Sequence, residues 1–175
     1  MIKLPIRHPH TKELFAYWTS LKPGNGQVPL WSDFSPAKVV KLLPKILVMD
    51  VQEPNLPIRL FGTGLVEALG RDMTGRDYYD LVPAEMQMAQ REHMGKVVST
   101  PACAVSYSKF VVERGGREVG LLSESIHMPM CAADGQISRI VSMNSVVGGE
   151  GENFVADLGE RTKEDLILER FLLPA

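Results

Sequence analysis

Four histidines and two cysteines are the residues of this 175-residue chain most able to ligate a metal or attack an electrophile. Their spacing assembles little. His8 and His10 flank Pro9 with no further donor nearby, which leaves a two-histidine metal site incomplete. Cys103 and Cys131 form neither a CxxC pair nor a dense framework, so two reduced cysteines acting as small apolar residues are expected. His127 lies beside Met128 in a strand-like run, where a structural role is expected. His93 falls on the apolar side of a helical pattern with Met86, Ala89 and Val97. Ser123 and Ser125 flank Glu124 without a G-x-S-x-G elbow. Gly62-Thr63-Gly64 follows a strand, but the next glycine is Gly70 and the intervening helix is too short for a useful dipole, so a dinucleotide loop fails on spacing. Glu113, Glu118 and Glu124 are expected at the solvated surface. Nothing joins a nucleophile, a base and an orienting group, and the chain is not expected to be an enzyme.

The elements that must position these residues follow from periodicity. Leu14, Trp18 and Leu21 fall at i, i+4 and i+7 between Thr11 and Leu21, with Phe15 broadening the stripe of a first helix. Ser35 and Pro36 predict the start of a second, short helix running to Leu43, and Pro44 then forces extension. Lys45 to Val51 and Pro57 to Thr63 are strand-like and close enough to pair antiparallel. Ala84 to Val98 is the longest helical pattern. Cys103 to Glu113, Glu118 to Met130 and Gln136 to Val147 then form three strands separated by turn signals, an antiparallel meander. Apolar residues occupy both parities in these strands, so both sheet faces should be covered, the second by the N-terminal helix, the C-terminal segment or another subunit. After a joint at Gly148 to Gly151, Thr162 to Leu173 reads as a last amphipathic helix with a weak capping box, Thr162 and Asp165. The whole is an α+β domain with helices against one sheet face.

The densest stretch is Arg59 to Pro83. A strand ends at Gly62 and Gly64, about one helical turn from Leu65 to Leu69 stops at Gly70, and Asp77 is placed to cap a segment carrying Tyr78, Tyr79 and Leu81. The strand and small helix, Leu69-Gly70, Thr74-Gly75-Arg76 and Asp80-Leu81 resemble the centre of a PAS domain, a sensory module. Tyr17-Trp18, Pro29, Asp33, Pro36, Leu43-Pro44, Arg59 and Gly62-Thr63 resemble a branch of small stand-alone bacterial PAS proteins, so that the likeness covers residues 13 to 147. It implies a five-stranded antiparallel sheet with short helices on one face and flanking terminal helices. The corresponding division is an N-terminal helix and linker over 1–30, a PAS-like core over 31–148, and a C-terminal extension with a short helix over 149–175.

The resemblance implies a sensory or regulatory module without its own output domain, acting through a small ligand, a signalling protein, or both. A ligand-free dimerisation module or adaptor, its pocket filled by its own side chains, is the alternative. The fold would place a cavity between the sheet and the short helices, with Phe61, Tyr78, Tyr79, His93, Tyr107 and Met143 as lining candidates for an apolar or mixed ligand. Nine methionines, Met86, Met88, Met94, Met128, Met130 and Met143 among them, read first as core filler and second as adaptable pocket wall. The absence of cysteine from Arg59 to Pro83 argues against a photoactive flavin. Haem would require an axial donor on the central helix, which only His93 supplies, and a packed histidine is the more ordinary reading. Leu14, Trp18 and Leu21 are candidates for homodimerisation or docking.

Composition narrows the partners. Nineteen basic residues dispersed among twenty-one acidic ones, formal charge −2, make no basic stripe for nucleic acid or an anionic membrane. The start, MIKLPIRHPH, lacks the apolar core of a signal peptide, and no run approaches a membrane span; cytoplasmic residence is the expectation.

Overall fold

The structure is a computed structural model describing residues 5–24, 27–114, 116–148 and 161–174. Helix α1 spans Pro9–Ser20. Strands β1 (Ile46–Asp50) and β2 (Ile58–Phe61) precede helix α2 (Thr63–Leu69), and a 3-10 turn at Tyr78–Leu81 leads to helix α3 (Gln87–Ser99). Strands β3 (Ala102–Arg114), β4 (Arg117–Cys131), β5 (Ile137–Gly148) and β6 (Arg161–Pro174) follow. Among the described residues these form one six-stranded sheet, in the order β2-β1-β5-β4-β3-β6, with antiparallel pairing between neighbouring strands.

The predicted meander is β3–β4–β5, and β1 closes against β5 from Ile46↔Met143 to Asp50↔Arg139. The α+β architecture predicted from the sequence therefore stands, with one strand more. The segment Thr162 to Leu173, read as a helix, is instead β6, so the C-terminal flanking helix is corrected to a strand and five strands to six. Its run of Leu166, Ile167 and Leu168 followed by Phe171, Leu172 and Leu173 suits either period. Along β3 the row of amide and carbonyl groups would otherwise stand unpaired, and pairing with it outweighs a weak cap. Beyond Gly148, the expected joint lies outside the described residues. The second predicted helix is likewise reduced to two 3-10 turns, Pro36–Lys38 and Leu43–Lys45. Ser35 is extended there without a side-chain cap bond, and Pro44 disfavours a helical residue before it.

Both faces of the sheet are covered, and by elements of this chain. Ile46, Val48, Cys103, Val105, Tyr107, Ile126, Met128, Met130, Val141 and Met143 share one core with Leu14 and Trp18 of α1. The indole Nε1 of Trp18 donates to the carbonyl of Pro129 at 2.9 Å. Leu47, Met49, Ala104 and Ile140 point the other way and join Phe61, Leu65, Met73, Tyr79, Met94 and Val97 in a second core. Strand parity sorts the two sets, since neighbours in sequence face opposite sides.

The docking stripe is thus corrected: Leu14 and Trp18 are fully buried within the chain, and Leu21 packs partly against the same core. On α3 the inward face is His93, Met94 and Val97, while Ala89 and Met88 are exposed. A fixed close approach sets the start of α2. A Cβ on Gly62 would stand against the carbonyl oxygens of Leu43 and Pro44, which only glycine permits.

Candidate ligand site

The short elements of the helical layer are fastened by their own caps and by α3. Asp77 Oδ1 accepts from the Tyr79 backbone at 3.2 Å, capping the 3-10 turn as its sequence predicts. Gln87 Nε2 donates to the carbonyls of Tyr79 and Val82 at 3.0 and 3.2 Å. The Arg91 guanidinium lies 3.8 Å from the Tyr79 ring centroid. Burial raises the Tyr79 hydroxyl to about 12, against a smaller opposing pull from Arg91. Tyr79 is therefore a locked wall, and Tyr78 beside it turns toward the sheet.

On the sheet, β4 and β5 bring a polar pair to the helical side, next to Ala104 of β3. His127 stands opposite Ala104 on β3 and Ser142 on β5, and its Nδ1 is 2.7 Å from Ser142 Oγ. The His93 ring on α3 meets the His127 ring edge-on at 5.9 Å between centroids, and Tyr78 meets it at 6.3 Å. Gln90 Nε2 donates to the Tyr78 hydroxyl at 3.1 Å, and Arg170 of β6 donates to Gln90 Oε1 at 3.3 Å and to the Ala89 carbonyl at 3.4 Å. Three layers of chain meet here: the 3-10 turn, α3, and the strands β4, β5 and β6.

Both imidazoles are 4% exposed. Burial first, then the neighbouring charges Arg170 and Lys96, holds His93 at about 4; burial, then His93 and Arg170, holds His127 at about 3. Both rings are consequently neutral near pH 7. Yet they differ in satisfaction: His127 has Ser142, whereas His93 Nε2 is buried without a hydrogen-bond partner. The packed histidine expected from the sequence is found at His93, with its Nε2 buried and unpaired.

The structure brings Phe61, Tyr78, Tyr79 and His93 to the helical side, and puts Tyr107 and Met143 on the α1 side. For those two the pocket assignment is corrected by parity: Tyr107 aligns with Cys103 and Val105, and Met143 with Val141. His127, Ser142, Gln90 and Arg170 were not among the sequence candidates. His127 and Ser142 become neighbours only through the β4–β5 register, and Arg170 only because its segment is a strand. Glu124, expected at the surface, is fully buried on the α1 side.

Cofactor fits can be tested on these positions. Cys103 is buried in the α1-side core, where burial raises its thiol well above the ordinary range, and Cys131 Sγ lies 3.7 Å from the Val28 carbonyl. The Cys103 thiol faces the α1 side, Cys131 lies against the Val28 carbonyl, and the short helical elements carry no cysteine, so flavin–cysteine chemistry does not fit. For haem, His93 is the candidate donor predicted from the sequence, and the His127 ring stands 5.9 Å from its ring between centroids. Among the described residues no group of three or more His, Cys, Asp or Glu is placed to hold a metal ion. No helix among them is long and apolar enough to cross a membrane.

A PAS domain family model matches residues 6–144. A comparison with curated proteins finds no match. Among solved structures, an RNA-binding light-oxygen-voltage receptor is similar at 16% identity and TM-score 0.46, covering 73% of this chain. This chain spans only 36% of that receptor's length. The dark form of the blue-light photoreceptor Aureochrome1 LOV is similar at 18% identity and TM-score 0.43, with 66% of this chain and 84% of that one covered. The Rhodobacter sphaeroides LOV protein gives 10% identity and TM-score 0.41 over 81% of this chain and 70% of that one. With the sheet order, the short-helix layer and a family match running from the N-terminal segment to β5, the chain belongs to the PAS domain family.

Proposed function

We propose that this protein is a non-catalytic sensory module that binds a small ligand between α3, the Tyr78–Leu81 turn and the helical side of the sheet. Occupancy would alter its contact with a signalling protein. The observation that carries this reading is the buried, unpartnered Nε2 of His93. An unpaired buried polar atom costs roughly 1–3 kcal/mol, which a ligand acceptor or donor would offset. The polar atoms around it belong to five elements, the 3-10 turn, α3, β4, β5 and β6, so a ligand there would touch both the helical layer and the sheet.

Native mass spectrometry of freshly purified protein, followed by thermal-shift screening of a broad metabolite panel, tests the proposal. A retained small molecule, or stabilisation by one panel member that is lost in His93→Phe, is the expected result. A bare protein that no panel member stabilises would overturn it.

One arrangement favours a second reading, that of a ligand-free adaptor: the rings of Tyr78, His93 and His127 already pack against one another. That reading expects His93→Phe to stabilise the chain, by removing an unpaired nitrogen while keeping the ring, and to leave partner binding intact.

A further inference from the structure

Resting on the ligand-sensing proposal, we infer a ligand class: His93 and Arg170 hold the carboxylate of a small monoanionic organic acid. His93 supplies a nearly fully buried nitrogen with no partner. Arg170 supplies the charge. Its two hydrogen bonds, at 3.3 and 3.4 Å, run to uncharged acceptors, Gln90 Oε1 and the Ala89 carbonyl. The other nearby cation, Lys96, is held by Glu92 at 2.8 Å one turn away on α3.

Glu92 draws on both cations, and one carboxylate against two cations leaves a net positive field at His93, where Arg170 and Lys96 both oppose protonation of the ring. An anionic acceptor is the complement. Among the described residues around His93, two cations share the one carboxylate of Glu92, so the charge count fits a single negative charge rather than a phosphate dianion. A planar carboxylate also matches the guanidinium fork. Arg170 would exchange its two long bonds to α3 for the ligand, with His93 donating from Nε2–H.

Such a site is coupled to the end of the chain. Arg170 is on β6, whose ladder to β3 runs from Ala102↔Pro174 to Val112↔Arg161. Binding would thus transfer a β6 contact from α3 to the ligand and change how the last strand is held.

Isothermal titration with benzoate and hexanoate at pH 7.5, against the uncharged benzamide and hexanamide, tests the inference. At least one acid should bind, its amide at least about tenfold more weakly, and Arg170→Gln should weaken the acid about tenfold or more. Because Arg170 is exposed, that variant should keep the parent melting temperature, which separates lost binding from lost folding. Failure of both acids to bind, equal binding of acid and amide, or unchanged affinity in Arg170→Gln would each overturn the carboxylate assignment. If a neutral compound from the metabolite panel binds and is lost in His93→Phe, the sensor reading stands and the carboxylate assignment alone falls.

Discussion

The hydroxyl of Tyr107 donates to the buried carboxylate of Glu124 at 2.6 Å across the β3–β4 ladder, where the two residues are direct partners. The same carboxylate accepts the backbone N–H groups of Arg7 and His8, more than a hundred residues earlier. The Arg7 guanidinium lies 4.2 Å from the Tyr107 ring centroid. Thr11 Oγ1 donates to Ser145 Oγ at 3.3 Å beside this cluster. Together these bonds fix where α1 meets the sheet.

Removing the carboxylate should therefore release the N-terminal segment. Glu124→Leu leaves the Arg7 and His8 amides and the Tyr107 hydroxyl without this acceptor, and is expected to cost about 2–4 kcal/mol. Urea unfolding gives the magnitude. Hydrogen exchange should show the loss of protection centred on Arg7 and His8 and not on α3; uniform loss would contradict a local latch.

Trp18→Ala should act on stability rather than on assembly. The side chain is 2% exposed and its Nε1 bonds Pro129, so truncation opens a cavity and strands an acceptor. A loss of about 3–5 kcal/mol is expected by thermal or urea unfolding. A full-stability variant of altered oligomeric mass would instead restore the interface role predicted from the sequence stripe.

Gly62→Ala should destabilise by about 1–3 kcal/mol or more, because the new methyl meets backbone carbonyls of Leu43 and Pro44 rather than a flexible side-chain end. Gly95→Ala on α3, where an added Cβ meets nothing, is the matched control and should be neutral or stabilising. Equal melting temperatures for the two variants would contradict the close approach at Gly62.

The buried imidazoles set a pH window. Both pKa values are depressed on folding, to about 4 for His93 and about 3 for His127, so the unfolded chain binds more protons below pH 6.5. Their contribution to stability is complete above about pH 6.5 and is lost as pH falls through the folded values. Urea midpoints should decline between pH 6.5 and 4, less steeply in His127→Phe. An NMR titration placing either ring near 6.5 would contradict neutral burial.

Much of the fold was legible because the sequence spells it locally: Asp77 before Tyr78-Tyr79, Gly70 at the end of α2, and the glycine turns of the meander. The site was half legible. Phe61, Tyr78 and Tyr79 lie on short elements and His93 on the longest helix, whose places in a PAS-like arrangement fix their side. Tyr107 and Met143 were misplaced because residues of both parities in β3 and β5 are apolar, so hydrophobicity carried no sign for the face. Glu124 looked like surface because two of its partners, the Arg7 and His8 amides, lie more than a hundred residues earlier and the third, Tyr107, meets it only through the β3–β4 register. Arg170 was hidden by a segment that suits helix and strand equally until the β3 edge selects one.

A ligand acting on the helical side of the sheet is tested most directly by NMR of side-chain nitrogens, which reads both sides at once. With the compound that most stabilises the chain, the imidazole nitrogens of His93 should shift most, His127 should follow, and the Trp18 indole on the opposite side should remain still. A shift centred on Trp18 with His93 unmoved would contradict the account, as would a full metabolite panel that moves none of the three.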